Sequence, residues 1–225
     1  MSQNPYTVNS RPGGIKGVVL LAGLLLLTLG CGRSTVEWPA VEGTVVNAET
    51  GEPISDAIVI ANWYGTGGWS QTTCFHSESA RSDNEGRFTL PAWRNEGRFN
   101  KLANQYSSAR AYKKGYGPDP AGWVNERILM VPFTGTREER LKYLRRLASS
   151  SACDSVAGAS LRNLLPLYEA TYQEAKELSN TPEELKDLEW FRYMAADMAI
   201  ASDTLISSHV EHEAKINSYL KDHLK

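Results

Sequence analysis

This 225-residue chain is short of the residues that hold metals and drive nucleophilic chemistry, with only three cysteines and four histidines. No His-Glu-x-x-His spacing occurs, so the base and ligand set of a zinc protease is missing. His209 and His212 stand three residues apart, with Glu213 beside the second, and close to a polar carboxyl end they read as a solvated helix face rather than a metal pair. Ser149-Ser150-Ser151 has no neighbouring His and Asp pattern that would turn one of them into a nucleophile. Asp83 and Glu85 precede Gly86, and Asp-x-x-Gly ahead of a strand is turn chemistry before it is a paired-carboxylate site. Neither sign of charge is in large excess. The 24 basic residues face 26 acidic ones, which leaves no basic footprint for nucleic acid. Long apolar runs are absent too: the longest, Gly17 to Leu29, has 13 residues, short of the roughly 20 that a bilayer crossing needs. The sequence therefore names no catalytic residue, no metal ligand and no cofactor, and a non-enzymatic role is the expectation.

That apolar run is nonetheless well defined. It follows a polar start carrying Arg11 and Lys16, the layout of a secretory signal. It ends in Leu27-Thr28-Leu29-Gly30-Cys31, which resembles the lipobox of bacterial lipoproteins, with Thr28 standing where that family favours leucine. The resemblance implies a signal peptide over residues 1–30, removed after Gly30. It also implies a diacylglycerol thioether and an acylated amine, with chains such as palmitate, on Cys31. Several acyl chains, each worth about 0.8 kcal/mol per buried CH2, anchor a protein stably where a single chain binds only reversibly. Gly32, where inner-membrane lipoproteins carry Asp, implies the cell outer membrane, with the side that is faced left open. Residues 31–38 then form a lipidated tether of at most about 25 Å, and the lipid bilayer is the first partner.

With Cys31 assigned to the anchor, Cys74 and Cys153 remain as a pair in an oxidising compartment, for which a disulfide is the simplest expectation and two unrelated buried thiols the alternative. On the chain-entropy model a bridge closing about 80 residues contributes about 4–5 kcal/mol.

Beyond the tether the residues favour strands. Val41 to Val46 and Ala57 to Ala61 are rich in β-branched residues and flank an Asn-, Gly- and Pro-containing turn. Thr73 to His76, Arg87 to Leu90, Arg110 to Lys113 and Arg127 to Val131 continue the series, with Lys114 to Pro120 reading as a Gly- and Pro-rich connection. Gly43-x-Val45, Thr50-Gly51-Glu52-Pro53-Ile54, Ala57-x-Val59, Ser82-Asp83-x-x-Gly86-x-Phe88 and Lys113-Lys114-Gly115-Tyr116 together resemble the carboxypeptidase regulatory-like domain. That resemblance covers residues 39–133 and implies a transthyretin-like Greek-key β-sandwich. Its motifs are turn and core signatures, which speak for fold and hardly for activity. The Tyr-Arg-Gly-Ser ending of the related hydroxyisourate hydrolases is not present; this chain ends Lys221-Asp222-His223-Leu224-Lys225.

From residue 134 to 225 the period changes to that of helices. Thr136-Arg137-Glu138-Glu139 is a capping box opening a short helix to about Ala148. Leu161 to Leu178 is a second helical stretch, kinked or started by Pro166. Thr181-Pro182-Glu183-Glu184 is a strong start for a third, which the apolar spacing carries past Leu205 toward Leu220. The fold class predicted is α+β by segments, a sandwich followed by a helical carboxyl-terminal region, with Cys74–Cys153 stapling one to the other.

Trp63, Tyr64 and Trp69 flank Gly65-Thr66-Gly67-Gly68. A loop presenting flat aromatics can stack on sugar rings or bury in a partner, so these three are the candidate ligand-binding residues. The expected function is an interaction or structural module of the cell envelope whose second partner is an unidentified envelope protein or glycan. The alternative is a glycan- or peptidoglycan-binding module using residues 63–69.

Overall fold

Ala57-Ile58-Val59-Ile60-Ala61 is apolar without alternation, the pattern of a strand covered on both faces, and the fold is centred on it. The computed structural model describes residues 36–66, 72–95, 102, 104–153, 159–201 and 209–223; the stretch expected to be a leader and lipobox, with Cys31, and Trp69 lie outside them. In chain order the strands are β1 (Val36–Trp38), β2 (Val41–Asn47), β3 (Ile58–Thr66), β4 (Thr72–Arg81), β5 (Arg87–Leu90), β6 (Trp93–Asn95), β7 (Asn104–Tyr112), β8 (Tyr116–Val124) and β9 (Arg127–Pro132). The helices are α1 (Arg137–Ser149), α2 (Ala159–Arg162), α3 (Leu165–Leu178), α4 (Pro182–Ile200) and α5 (His209–His223).

Three layers result. A four-stranded sheet of order β5-β2-β9-β8 faces a three-stranded sheet of order β4-β3-β7, and the small β1-β6 pair lies beside them. Within the first sheet β2 and β9 run parallel, from Thr44 opposite Arg127 to Asn47 opposite Met130. Alternate residues of β3 serve two cores. Val59, Ala61 and Trp63 meet Val45, Phe88, Leu90, Ile128 and Met130 between the sheets. Ile58 and Ile60 turn the other way, toward Leu144, Leu167, Tyr168 and Phe191 of the helices. The helical region is therefore a third layer on the outer face of the sandwich-like pair of sheets, sharing a core with it.

The turn between β4 and β5 shows how local chemistry sets this geometry. Asp83 Oδ1 accepts from the backbone N–H groups of Glu85 at 3.0 Å and Arg87 at 2.7 Å, and those bonds with the Arg87 guanidinium hold its carboxyl below the usual range. Gly86 has φ 72°, and a Cβ there would come within 2.5 Å of the Val45 carbonyl oxygen, so glycine is required twice over.

Two sequence expectations change. The connection expected over Lys114 to Pro120 is β8, an outer strand whose Gly117, Pro118, Pro120 and Gly122 depress strand propensity. Its pairing with β9 slips between Pro118 and Trp123, and edges and irregularities are where sheets tolerate proline. The third helix stops at Ile200, because Ala201 leaves helical geometry at φ −54°, ψ 129°, and a separate helix begins at His209. Pro166 lies in the first turn of α3, where its missing N–H costs nothing, so it starts that helix rather than kinking it.

Both capping boxes form, at Thr136 with Glu139 and at Thr181 with Glu184. Glu184 also bonds Arg137 of α1, which draws its pKa down to about 2. A carboxylate depressed in the folded state stabilises it fully above the unfolded value near 4.5, and that stability is lost as pH falls toward 2. Glu184→Gln should accordingly lower the urea midpoint at pH 6, with the gap to wild type closing as pH falls to 2. A gap independent of pH would contradict the assignment.

The helices are fastened to the sandwich by a buried ion pair. Arg140 on α1 donates from Nε and Nη2 to the two carboxylate oxygens of Glu174 on α3, both at 2.9 Å, and from Nη1 and Nη2 to the carbonyls of Tyr116 and Lys113. Tyr112 on β7 donates to the same carboxylate at 2.8 Å; burial, reinforced by the Glu174 charge, pushes its phenol well above the ordinary value.

Candidate functional site at the histidine-centred aromatic cluster

Strand β4 is the outer strand of its sheet, and an uncovered edge of ten residues would invite pairing with another chain. Chain between α1 and α3 lies against it. Cys153 stands at disulfide distance from Cys74, with Cα atoms 5.3 Å apart, and Ser77 Oγ donates to Cys153 Sγ at 3.2 Å. Asn163 Nδ2 donates to the Ser77 carbonyl at 3.1 Å and to Glu78 at 2.9 Å, while Ser79 donates to the Asn163 carbonyl. A register shift in the β3–β4 pairing makes this arrangement work. Cys74 pairs opposite Tyr64 and His76 opposite Trp63, residues of opposite faces, so the cysteine meets the helical side and the histidine the sandwich side.

His76 is the centre of the group. Its ring stacks on Trp93 at 4.8 Å and 2°, and lies 5.3 Å from Trp63. Trp93 in turn is 5.0 Å from Trp38, and Trp38 5.6 Å from Phe75. Trp38 Nε1 donates to the Tyr64 carbonyl at 3.1 Å. Imidazole Nδ1 is 2.5 Å from Ser160 Oγ, and Nε2 is 3.6 Å from Glu78. Serine, histidine and carboxylate in series are the residue types of nucleophilic catalysis. Here Ser160 keeps 8% of its accessible surface and indoles pack against the imidazole, which suits a polar link between layers rather than a serine open to substrate.

Of the candidate ligand-binding residues, Trp63 is fully buried in the inter-sheet core, as β-sheet aromatics commonly are. Tyr64 stacks on Tyr106 across the β3–β7 pairing at 5.0 Å and 12°, and Tyr106 is 48% exposed. At the β3 end of the expected loop, the aromatic surface is therefore the exposed Tyr106 backed by the partly buried Tyr64. His212 pairs with Asp197 of α4 at 2.9 Å, the side chain of His209 lies outside the described residues, and among the described residues no three potential ligands converge as a metal site would require.

Sequence reasoning missed the partners of His76. Cys74-x-His76-x-Glu78 on a strand was a visible signal, but Ser160, Asn163 and Trp93 come from distant segments that periodicity does not connect. No protein-family model matches the chain, and no curated protein or solved structure matches it.

Proposed function

We propose that this chain is a lipid-anchored envelope protein that works by binding, its body a transthyretin-like sandwich of the carboxypeptidase regulatory-like kind carrying a helical layer. The observation that carries this reading is the lipobox-like Leu27 to Cys31, placed seven residues before the buried Trp38. A tether that short holds the sandwich against the outer membrane. Support for the Greek-key assignment comes from the strand order β5-β2-β9-β8 over β4-β3-β7, with the first and last sandwich strands parallel. The buried Trp38 joins the strand nearest the proposed anchor to the core.

Crosslinking in intact cells followed by capture of the anchored protein tests the binding role. Reproducible protein partners are expected. A second reading, glycan binding, is favoured by the exposed Tyr106 stacked on Tyr64; retention on peptidoglycan that Tyr106→Ala abolishes would support it over the first. Neither partners nor retention would refute the binding role.

A further inference from the structure

The sandwich is closed on the β4 side by the chain before α3, but on the opposite side β7 and β8, edge strands of different sheets, adjoin without pairing. A groove of about 280 Å³ opens there. Pro118, Ile128, Met130 and Leu147 supply apolar walls, and Arg110, Tyr143 and Ser150 bring polar groups to it. Arg110 is half-buried. Its guanidinium donates to Ser150 Oγ at 2.9 Å, and among the described residues it has no carboxylate partner. Arg81, Arg87, Arg94, Arg137, Arg140 and Arg145 each have one. The Tyr143 hydroxyl likewise has no hydrogen-bond partner among the described residues, although Arg140 and Phe133 pack on its ring.

A half-buried guanidinium without a counter-ion leaves charge-assisted donors unused, and a phenol without a partner adds another donor. Set beside an apolar trough, they describe the two halves of an amphiphile. We propose that this groove binds a medium-chain carboxylate, its carboxyl group on Arg110 and Tyr143 and its alkyl chain along Pro118, Ile128, Met130 and Leu147. One guanidinium matches one negative charge. The volume, at the lower end of small-molecule sites, suits a chain of about eight to ten carbons. The site is independent of the anchor and of the tyrosine pair.

The test is titration of [1-13C]octanoate into the full chain in phospholipid nanodiscs, with empty nanodiscs as the blank and 1-octanol as the uncharged comparison. Saturable octanoate binding is expected, tighter than octanol, and weakened at least about tenfold by Arg110→Gln, since a charge-assisted hydrogen bond is lost. Arg110→Lys should fall between the two. Near-UV circular dichroism reports whether each variant keeps its fold. If Arg110→Gln does not, Tyr143→Phe decides, because it removes an unbonded hydroxyl and leaves the packing in place; a loss of a few fold is expected. Absence of saturable binding, octanol binding as tight as octanoate, or unchanged affinity in the folded variants would overturn the proposal.

Discussion

Glu174→Ala is expected to lower stability by about 3–5 kcal/mol, the usual cost of leaving a buried charge without its partner. Arg140 and Glu174 keep only 5% and 6% of their side-chain surface, so in the variant neither water nor another carboxylate compensates the guanidinium. The carbonyls of Tyr116 and Lys113 remain as acceptors, yet they carry no net charge. Replacing both partners with apolar residues, Arg140→Met with Glu174→Leu, should cost less than the single change, because desolvation is no longer opposed. The exposed Lys142–Glu138 pair on α1 serves as the comparison, and Glu138→Ala should shift stability by no more than about 0.5 kcal/mol. Urea denaturation of the four proteins measures all of this. A loss below about 1 kcal/mol in Glu174→Ala would show that the pair does not fasten the helices to the sandwich.

Removing the Cys74–Cys153 pair, by serine at both positions, is expected to cost about 2–5 kcal/mol. Besides constraining the unfolded chain, the pair pins the segment that covers the outer edge of β4. Asn163 and Ser160 then hold that cover, through hydrogen bonds worth about 1 kcal/mol each. The variant should therefore be cut by protease between α1 and α3 faster than wild type, and should self-associate on gel filtration as the edge becomes available. Reductant should produce the same changes in the wild-type protein. Equal proteolysis and an unchanged denaturation midpoint would mean that the cysteines do not staple the edge.

Much of the fold was legible because the signals were local. Thr136 with Glu139 and Thr181 with Glu184 announce their helices through residues three apart, and Ser82-Asp83-x-x-Gly86 announces its turn because only certain side chains make those bonds. Arg87 to Leu90 matches β5 to the residue. Strand β8 was hidden because its Gly and Pro residues oppose strand formation and only pairing with β9 overrides them. Sharing of a core between sandwich and helices was hidden as well. An apolar run such as Ile58 to Ala61 says that both faces are covered, and does not say by what. The cluster around His76 was the least legible, since it joins residues 38, 63, 76, 93 and 160 through tertiary packing and a register shift that alternation does not foresee. That Arg110 meets no carboxylate among the described residues is likewise a property of what surrounds it in three dimensions.

The proposed lipid anchor at Cys31 is tested most directly by fractionating cells that express wild type and Cys31→Ala. Wild type should sediment with outer membranes, carry radiolabel from palmitate, and stay membrane-bound through salt and carbonate washes. The Cys31→Ala protein should carry no label and be lost from the outer-membrane fraction. A Cys31→Ala protein that still fractionates with outer membranes, or a wild type that takes up no acyl label, would contradict the account.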